Sequence, residues 1–420
     1  MRLITEKVNI GSGSLVIGGG SPIVVQTMCN THTDDVEGTL AQCRRMVAAG
    51  AEMIRITVPG LQDVPHIREI RERLRAEGIM VPIVADIHFS AQTAIEVARF
   101  VDKVRINPGN FHKDHQMART KFLQLLEVCK AHGTAIRIGI NHGSLGEYIT
   151  NLYGNTPQAM AEAAMEWVRM CVQADFRKVV ISLKSSNTAS MVQGYRALVQ
   201  MMKAEGVVFP LHVGVTEAGG GDSGRIKSCV GIATLLEEGI GDTVRVSLTE
   251  DPVNELPVAR YLAARYSSAP MPQLPERELK MLDAACTWGP KLLRHEVDSI
   301  EEEMDSYLRD EIMQAARRRF YKPEYIACPG CGRTMYDLQK AYREVMEKTA
   351  CFKDIVIAIM GCIVNGPGEM ADADWGYVGE GGGKVSIYKK NVPVLRHVPE
   401  DEAPDRLVAL IREDLKAQGK

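Results

Sequence analysis

Short apolar runs rich in β-branched residues alternate with segments of helical periodicity over residues 20–255. Eight such runs occur, at residues 23–28, 53–58, 81–87, 103–107, 135–141, 178–183, 210–216 and 243–248. Helix-like segments lie between them, for example at 36–49, 91–100, 121–131 and 156–174. This alternation predicts an α/β fold with a TIM-type (β/α)8 barrel. An open doubly wound sheet is the alternative, but its glycine-rich phosphate loop is missing after the first run.

Polar residues recur at two-residue spacing inside these otherwise apolar runs. Residues two apart along a strand point to the same face of the sheet. The pairs are Arg55 and Thr57, Asp86 and His88, Arg105 and Asn107, Arg137 and Asn141, Ser182 and Lys184, and Arg245 and Ser247. Because the intervening Ile and Val residues must meet the surrounding helices, we expect the polar set to point into the barrel.

Converging cations of this kind need an anionic partner, since burying an unpaired charge is very costly. A diphosphate fits that demand, because guanidinium groups match phosphate oxygens in pairs. The alternative for each arginine is a buried ion pair, with Asp86 and Glu217 as the evident internal acids. Glu217 ends the seventh run beside three glycines, where it could act as a general acid or bind loop amides. Asp86 and His88 could also bind a metal, although two ligands alone are weak support.

After the eighth run the sequence becomes first rich in proline and then highly charged. This change predicts that the chain is divided into three regions. The barrel is expected over residues 1–262, and a proline-rich linker at 267–275 opens a charged, helical insert over 263–320. Within that insert, Val297, Ile300, Met304, Leu308 and Ile312 have helical spacing. Residues 321–420 predict a small α/β domain with a strand at 355–360, a hairpin at 377–388 and a closing helix at 406–416.

The small C-terminal domain carries a cluster of metal-binding residue types. Cys328 and Cys331 are separated by two residues, Cys362 follows the apolar run 355–360, and Glu369 ends a glycine- and proline-rich loop. The first cysteine pair alone favours a structural zinc ribbon. Adding Cys362 and the loop to Glu369 favours an iron–sulfur cluster with one carboxylate ligand, because iron–sulfur clusters are held mainly by thiolates.

Charge and cysteine usage exclude some function classes. The formal net charge of −3 argues against a nucleic-acid-binding surface. No signal peptide and no apolar stretch long enough to span a membrane is found, and most of the ten cysteines are scattered. This pattern favours reduced thiols and a cytoplasmic location.

Two groups of motifs resemble one enzyme family. Cys-Pro-Gly-Cys-Gly-Arg at 328–333 and Gly-Cys-Ile-Val-Asn-Gly-Pro-Gly-Glu at 361–369 are similar to the family of 4-hydroxy-3-methylbut-2-enyl diphosphate synthases. Stretches 25–28, 84–89, 105–110, 137–141, 216–219 and 241–248 resemble the same family, whereas residues 262–320 do not clearly do so. Some members of the family have an extra domain between the barrel and the cluster domain, and the simplest members lack it. The insert of this chain matches neither of these two layouts closely.

The resemblance implies roles for individual residues. It implies a 4Fe–4S cluster held by Cys328, Cys331, Cys362 and Glu369, and an active-site role for Glu217. It also implies a cyclic diphosphate at the barrel mouth, with Lys227 among its phosphate ligands in a loop after the seventh strand. The other expected substrate-binding residues are Arg55, Asp86, His88, Arg105, Asn107, Arg137, Asn141 and Arg245.

The implied reaction is the reductive ring opening and dehydroxylation of 2-C-methyl-D-erythritol 2,4-cyclodiphosphate. The product would be 4-hydroxy-3-methylbut-2-enyl diphosphate, an isoprenoid precursor, and the electron donor flavodoxin or ferredoxin. The resemblance also implies a homodimer in which the cluster domain of one chain caps the barrel of the other. Two alternatives are a pterin- or corrinoid-linked transferase barrel with a structural zinc ribbon, and a binding protein with a purely structural metal.

Overall fold

The computed structural model describes residues 2–11, 15–363, 366–370 and 372–418, apart from the side chains of Pro367 and Glu369. No helix in these ranges is long and apolar enough to cross a lipid bilayer. Most of the described chain belongs to a parallel barrel and its helices, and the rest to an insert and a small C-terminal domain.

The barrel is built from eight parallel strands, and a hairpin precedes them. The strands are β1 (Val8–Ile10) and β2 (Leu15–Ile17) in the hairpin, then β3 (Val24–Met28), β4 (Met53–Thr57), β5 (Ile83–Asp86), β6 (Lys103–Ile106), β7 (Ala135–Asn141), β8 (Val179–Lys184), β9 (His212–Val213) and β10 (Thr243–Val244). Neighbours follow the order β8-β7-β6-β5-β4-β3-β10-β9, and a bridge from Ile181 to Leu211 brings β9 back to β8. The predicted barrel is therefore confirmed.

The strands alternate as the sequence pattern predicted. Apolar residues such as Ile54, Ile56 and Val104 pack outward in one large core with the helices. At the amino-terminal end of the barrel, inward residues such as Val24 and Met53 pack against Val8 from the hairpin. The hairpin thus closes the bottom of the barrel, and the polar residues lie above this layer, toward the mouth.

Nine helices within the described part of the chain surround the barrel. They are α1 (Val36–Ala48), α2 (Val64–Ala76), α3 (Ala91–Val97), α4 (His115–His132), α5 (Glu147–Tyr153), α6 (Pro157–Gln173), α7 (Thr188–Ala204), α8 (Gly221–Glu237) and α9 (Leu256–Tyr266). Side-chain caps define several of their starts, as where Asp114 accepts from the Met117 amide at 2.6 Å.

The insert forms two helices rather than one continuous helical segment. Helix α10 (Glu276–Leu293) packs on α8, and α11 (Ser306–Ala315) begins where Asp305 caps the Leu308 amide at 3.0 Å. Between them the chain is irregular, and His295 adopts a left-handed φ of 60°. The helical spacing of Val297, Ile300 and Met304 was therefore misleading, because these residues approach the core from a loop.

The C-terminal domain is a five-stranded mixed sheet with helices. Its elements are β11 (Glu324–Ala327), α12 (Leu338–Thr349), β12 (Val356–Met360), α13 (Gly366–Glu369), β13 (Trp375–Gly381), β14 (Lys384–Lys389), β15 (Val392–Pro399) and α14 (Ala403–Ala417). Strands β11, β12 and β13 run parallel, and β13, β14 and β15 antiparallel. The predicted strand, hairpin and closing helix are confirmed.

This domain lies on the barrel mouth of its own chain. Ala327 forms a parallel bridge with Ala218, and its amide donates to the Glu217 carbonyl at 3.2 Å. Thr249 Oγ1 donates to the Cys328 carbonyl at 3.0 Å. The chain's own C-terminal domain thus occupies the place that the resemblance assigned to a partner's domain, and the homodimer remains a prediction.

Candidate functional site

A cavity of about 80 Å³ lies between the barrel mouth and the C-terminal domain. Its wall combines strand-end residues of the barrel with the cysteine turn of the other domain. The lining comprises Met28, Arg55, Asp86, His88, Arg105, Arg137, Asn141, Ser182, Lys184, Thr216, Glu217, Arg245, Cys328, Pro329, Gly330, Cys331 and Arg333. Many of the residues predicted from the sequence are thereby brought to one place.

The cysteines converge because their strands are neighbours. Cys328 directly follows β11 and Cys362 follows β12, and the two strands pair in parallel with Ala327 opposite Ile359. The Cys328 amide continues that ladder by donating to the Ile359 carbonyl at 3.0 Å. Gly330 has a φ of 77°, which lets the turn bend so that its amide approaches Cys328 Sγ at 3.4 Å.

Asp86 is the centre of a charged network on the barrel side. Arg105 Nη1 lies 3.2 Å and Arg55 Nε 4.0 Å from its carboxylate. Burial alone would raise the Asp86 pKa, but Arg55 and Arg105 outweigh it and hold that pKa well below its usual range. Arg105 Nη1 also contacts His88 Nε2 at 2.6 Å, and burial together with Arg333 lowers the His88 pKa to about 3. His88 is therefore neutral near pH 7.

Arg137 forms no ion pair with an acid within the described part of the chain. Its side chain is 1% exposed, and Nε and Nη1 have no hydrogen-bond partner among the described residues. Burial and the neighbouring Arg55 and Arg105 lower its pKa well below the ordinary range. An unpaired buried donor costs roughly 1–3 kcal/mol. The barrel side of the cavity therefore contains a buried guanidinium whose hydrogen bonds are only partly satisfied by the described residues.

Arg245 is different, because it forms a buried ion pair with Glu255. Nη2 lies 3.1 Å from one oxygen of that carboxylate and Nε 3.3 Å from the other. The ion-pair alternative therefore describes this contact, as it also describes the contact of Arg105 with Asp86. Glu255 escaped notice in the sequence because it stands in a short helical turn beyond the eighth strand.

Glu217 lies where the two halves of the cavity meet. It adopts a left-handed φ of 47°, a conformation that costs of order 1–3 kcal/mol and recurs at functional sites. Thr216 Oγ1 donates to its carboxylate at 2.9 Å. Its negative charge is among the groups that raise the pKa of Cys328, so the carboxylate is close to the cysteine turn.

Three of the predicted site residues, Asn107, Lys227 and Cys362, are not among the residues that line the cavity. Asn107 donates to Ser144 Oγ at 2.8 Å and accepts from the Gly109 amide at 3.1 Å. Lys227 belongs to helix α8, so the expected loop after the seventh strand is wrong, and its amine donates to Glu324 at 3.1 Å. Cys362 is half-buried, and its charge is among the groups that raise the pKa of Cys328, so it lies near the turn. Glu369 ends α13, and its side chain is outside the described atoms.

Two cavity residues, Lys184 and Arg333, were not among the predicted ligands. Lys184 shares its strand face with Ser182, as the two-residue spacing indicated, and it is 6% exposed. Arg333 follows the cysteine pair, and only the docking of the C-terminal domain reveals its place beside Asp86. Nothing in the sequence pattern could have placed it there.

Comparisons with known proteins identify the family of the chain. The family model described as GcpE TIM-barrel domain matches residues 5–260, and the GcpE protein C-terminal domain matches residues 324–413. The 4-hydroxy-3-methylbut-2-en-1-yl diphosphate synthase (ferredoxin) of a Synechococcus strain is 41% identical, covering 98% of this chain and 95% of that protein. The chain belongs to this synthase family. It is accordingly an enzyme, and neither the transferase with a zinc ribbon nor the binding protein is supported.

A second type of relative is longer than this chain. The 4-hydroxy-3-methylbut-2-en-1-yl diphosphate synthase (flavodoxin) of Parabacteroides distasonis is 35% identical over 590 aligned positions, covering 96% of this chain and 97% of that protein. Because this chain has 420 residues, that synthase contains segments that the chain lacks.

The synthase family is an iron–sulfur family, and the residues present fit such a group. Burial first, and then the charges of Cys331, Glu217 and Cys362, raise the pKa of the Cys328 thiol. Thiolates crowded in this way need a cationic centre to stay deprotonated. Among the described residues no three His, Cys, Asp or Glu side chains form a single-ion site. An iron–sulfur cluster does not require such a single-ion site, because each of its thiolate ligands binds a different iron atom.

Proposed function

We propose that the protein converts 2-C-methyl-D-erythritol 2,4-cyclodiphosphate into 4-hydroxy-3-methylbut-2-enyl diphosphate in isoprenoid precursor biosynthesis. One observation carries this proposal. Cys328 and Cys331 face Arg55, Arg105 and Arg137 across one cavity, so a thiolate-bound redox group and an anion would be neighbours. The barrel (residues 1–262) would bind the diphosphate, the insert (263–320) would connect, and residues 321–420 would hold the redox group.

The reaction needs two electrons and one proton for a dianionic substrate. The ring C–O bond to the phosphate breaks, the adjacent carbon loses its hydroxyl as water, and a C=C bond forms between the two carbons. A 4Fe–4S cluster on Cys328, Cys331, Cys362 and Glu369 would supply the electrons singly from flavodoxin or ferredoxin. The diphosphate is released from one carbon and stays bonded to the other carbon of the former ring. Its freed terminal phosphate carries an additional negative charge, so the binding site must hold more negative charge after the reaction.

The barrel residues supply cationic hydrogen-bond donors for this negative charge. Arg105 and Arg137 can each donate several hydrogen bonds to phosphate oxygens, and Arg55 adds a third guanidinium beside Asp86. Glu217 would give a proton to the departing hydroxyl or stabilise charge there. The covering C-terminal domain excludes bulk water, which strengthens each of these interactions.

The decisive experiment is anaerobic incubation of cluster-loaded protein with the cyclic diphosphate and a low-potential reductant. Phosphorus NMR should show the cyclic diphosphate replaced by a linear diphosphate, and mass spectrometry should show the loss of one oxygen. The same incubation with Cys331→Ser protein is the control. Unchanged substrate with fully loaded protein would refute the proposal.

Arg137 gives a prediction with two opposite effects. Arg137→Met should weaken binding of the cyclic diphosphate by ~1.5–3 kcal/mol, because hydrogen bonds to a charged ligand are lost. It should also raise the melting temperature of the ligand-free protein, because an unpaired buried guanidinium is removed. Calorimetry would measure both, with the exposed Arg99→Ala as control. Unchanged binding would make Arg137 a structural residue.

Lys184 predicts a pH dependence of binding. Burial first, and then Arg245, Arg55 and Arg137, lower its pKa well below the ordinary value of 10.5. An anion beside it favours the charged form and raises that pKa, so the complex binds more protons than the free protein. Affinity should therefore fall as pH rises between the lowered pKa and the pKa in the complex. Calorimetry in buffers of different ionisation enthalpy should show proton uptake, and Lys184→Met should reduce it. Equal uptake by the variant would exclude Lys184 as the source.

A further inference from the structure

Arg333 is a cation that the C-terminal domain contributes to a cavity otherwise lined with barrel cations. Its side chain is buried, with Nη2 donating to the Asp86 carbonyl at 3.3 Å and Nη1 3.7 Å from the Asp86 carboxylate. The turn can enter this deeply because residue 332 is glycine. A Cβ there would lie 2.7 Å from the Thr31 carbonyl oxygen, which no side chain could tolerate.

The charges around Arg333 do not balance. Within the described residues, the cationic side chains of the lining are Arg55, Arg105, Arg137, Lys184, Arg245 and Arg333, and the acids are Asp86 and Glu217. Arg245 is paired with Glu255 outside that lining. Asp86 alone is shared by Arg55, Arg105 and Arg333. A single carboxylate cannot neutralise three guanidinium groups.

Docking the C-terminal domain therefore brings a further guanidinium, beside the cysteine turn, to a site in which cations already outnumber carboxylates. The mutual repulsion is large in a buried, poorly screened cavity. An anion between the barrel arginines and Arg333 would turn this repulsion into attraction from both sides. The direct contacts of Arg333 with Asp86 are long, at 3.3 and 3.7 Å, so Asp86 by itself is an imperfect partner.

We propose that Arg333 is a substrate-binding residue contributed by the C-terminal domain. Resting on the proposed function, it contacts the phosphate groups of the cyclic diphosphate from the C-terminal domain, whereas Arg137 contacts them from the barrel. Binding of the anion and docking of the domain are then thermodynamically coupled, because the same guanidinium takes part in both. The cysteine turn is brought to the substrate by a contact with the substrate itself.

The test compares Arg333→Ala and Arg333→Gln with the exposed Arg343→Ala of the same domain. All proteins are used as full chains with the cluster loaded anaerobically. Calorimetry measures affinity for the cyclic diphosphate. Hydrogen exchange of the peptide covering residues 328–334 is followed with and without inorganic pyrophosphate.

Both Arg333 variants should bind the cyclic diphosphate ~10–100-fold more weakly, the range for hydrogen bonds to a charged group. Their iron content should match the parent protein. Pyrophosphate should protect the peptide 328–334 in the parent and in Arg343→Ala, but not in the Arg333 variants. Should Arg333→Ala lose iron, Arg333→Gln, which preserves the side-chain length more closely, carries the comparison.

Parental affinity in an iron-loaded Arg333 variant would overturn the proposal, and so would anion-independent protection in the parent. Either result leaves the proposed reaction intact as long as the parent turns over the cyclic diphosphate. A loaded parent protein that neither binds nor converts that compound would instead refute the proposed function. The two failures are thus distinguishable in one set of measurements.

Discussion

Replacing Cys331 by serine is expected to remove most of the bound iron and to abolish turnover. Cys331 lines the cavity directly, and its amide is fixed by Thr334 Oγ1 at 3.0 Å. A serine hydroxyl is a much poorer ligand for iron than a thiolate, so a cluster with only two cysteines should be lost. Cys328→Ser and Cys362→Ser should fail in the same way, because their strands place them around the same point.

The control for this prediction is Cys351→Ser. Cys351 belongs to the same domain, but it is exposed and follows α12, away from the strand ends that carry the other cysteines. Its substitution should leave iron, acid-labile sulfide and turnover unchanged. If any one of the three cavity-side variants kept four irons per chain, the cysteine concerned would not be a ligand.

The barrel could be predicted because its signals are local. Alternating apolar runs and helical segments follow from burial of strands under helices, and the inward polar positions follow from the two-residue period. The predicted inward orientation is found for residues that lie within a strand, such as Arg105, Arg137 and Lys184. The hairpin of β1 and β2 went unnoticed because its strands have three residues each.

Contacts formed between distant segments could not be predicted in the same way. Glu255 neutralises Arg245 from beyond the strand, and Glu324 of the C-terminal domain holds Lys227. The sequence also suggested a phosphate loop where Gly221 in fact begins α8. Helix α8 has apolar residues on all sides, because α10 covers the side that faces away from the barrel. Its sequence therefore lacks the amphipathic periodicity from which a helix could have been predicted.

Glu217→Gln is expected to lower turnover by ~100-fold or more, the range for a lost acid–base group. Its backbone conformation is unusual for a non-glycine residue, and Gln can keep the Thr216 contact, so the fold should be retained. Resting iron content and substrate affinity should stay close to those of the parent protein. Only the proton transfer or the charge stabilisation at the departing hydroxyl would be lost.

Glu369→Ala is the matched comparison, because the two glutamates are proposed to do different work. A ligand lost from one iron should change the resting spectrum of the cluster or make the cluster more labile. Electron paramagnetic resonance of both reduced variants, with and without the cyclic diphosphate, separates these outcomes. Parental turnover in Glu217→Gln would end the acid hypothesis. A resting cluster in Glu369→Ala that is indistinguishable from the parent would end the ligand hypothesis, and the two results are independent of each other.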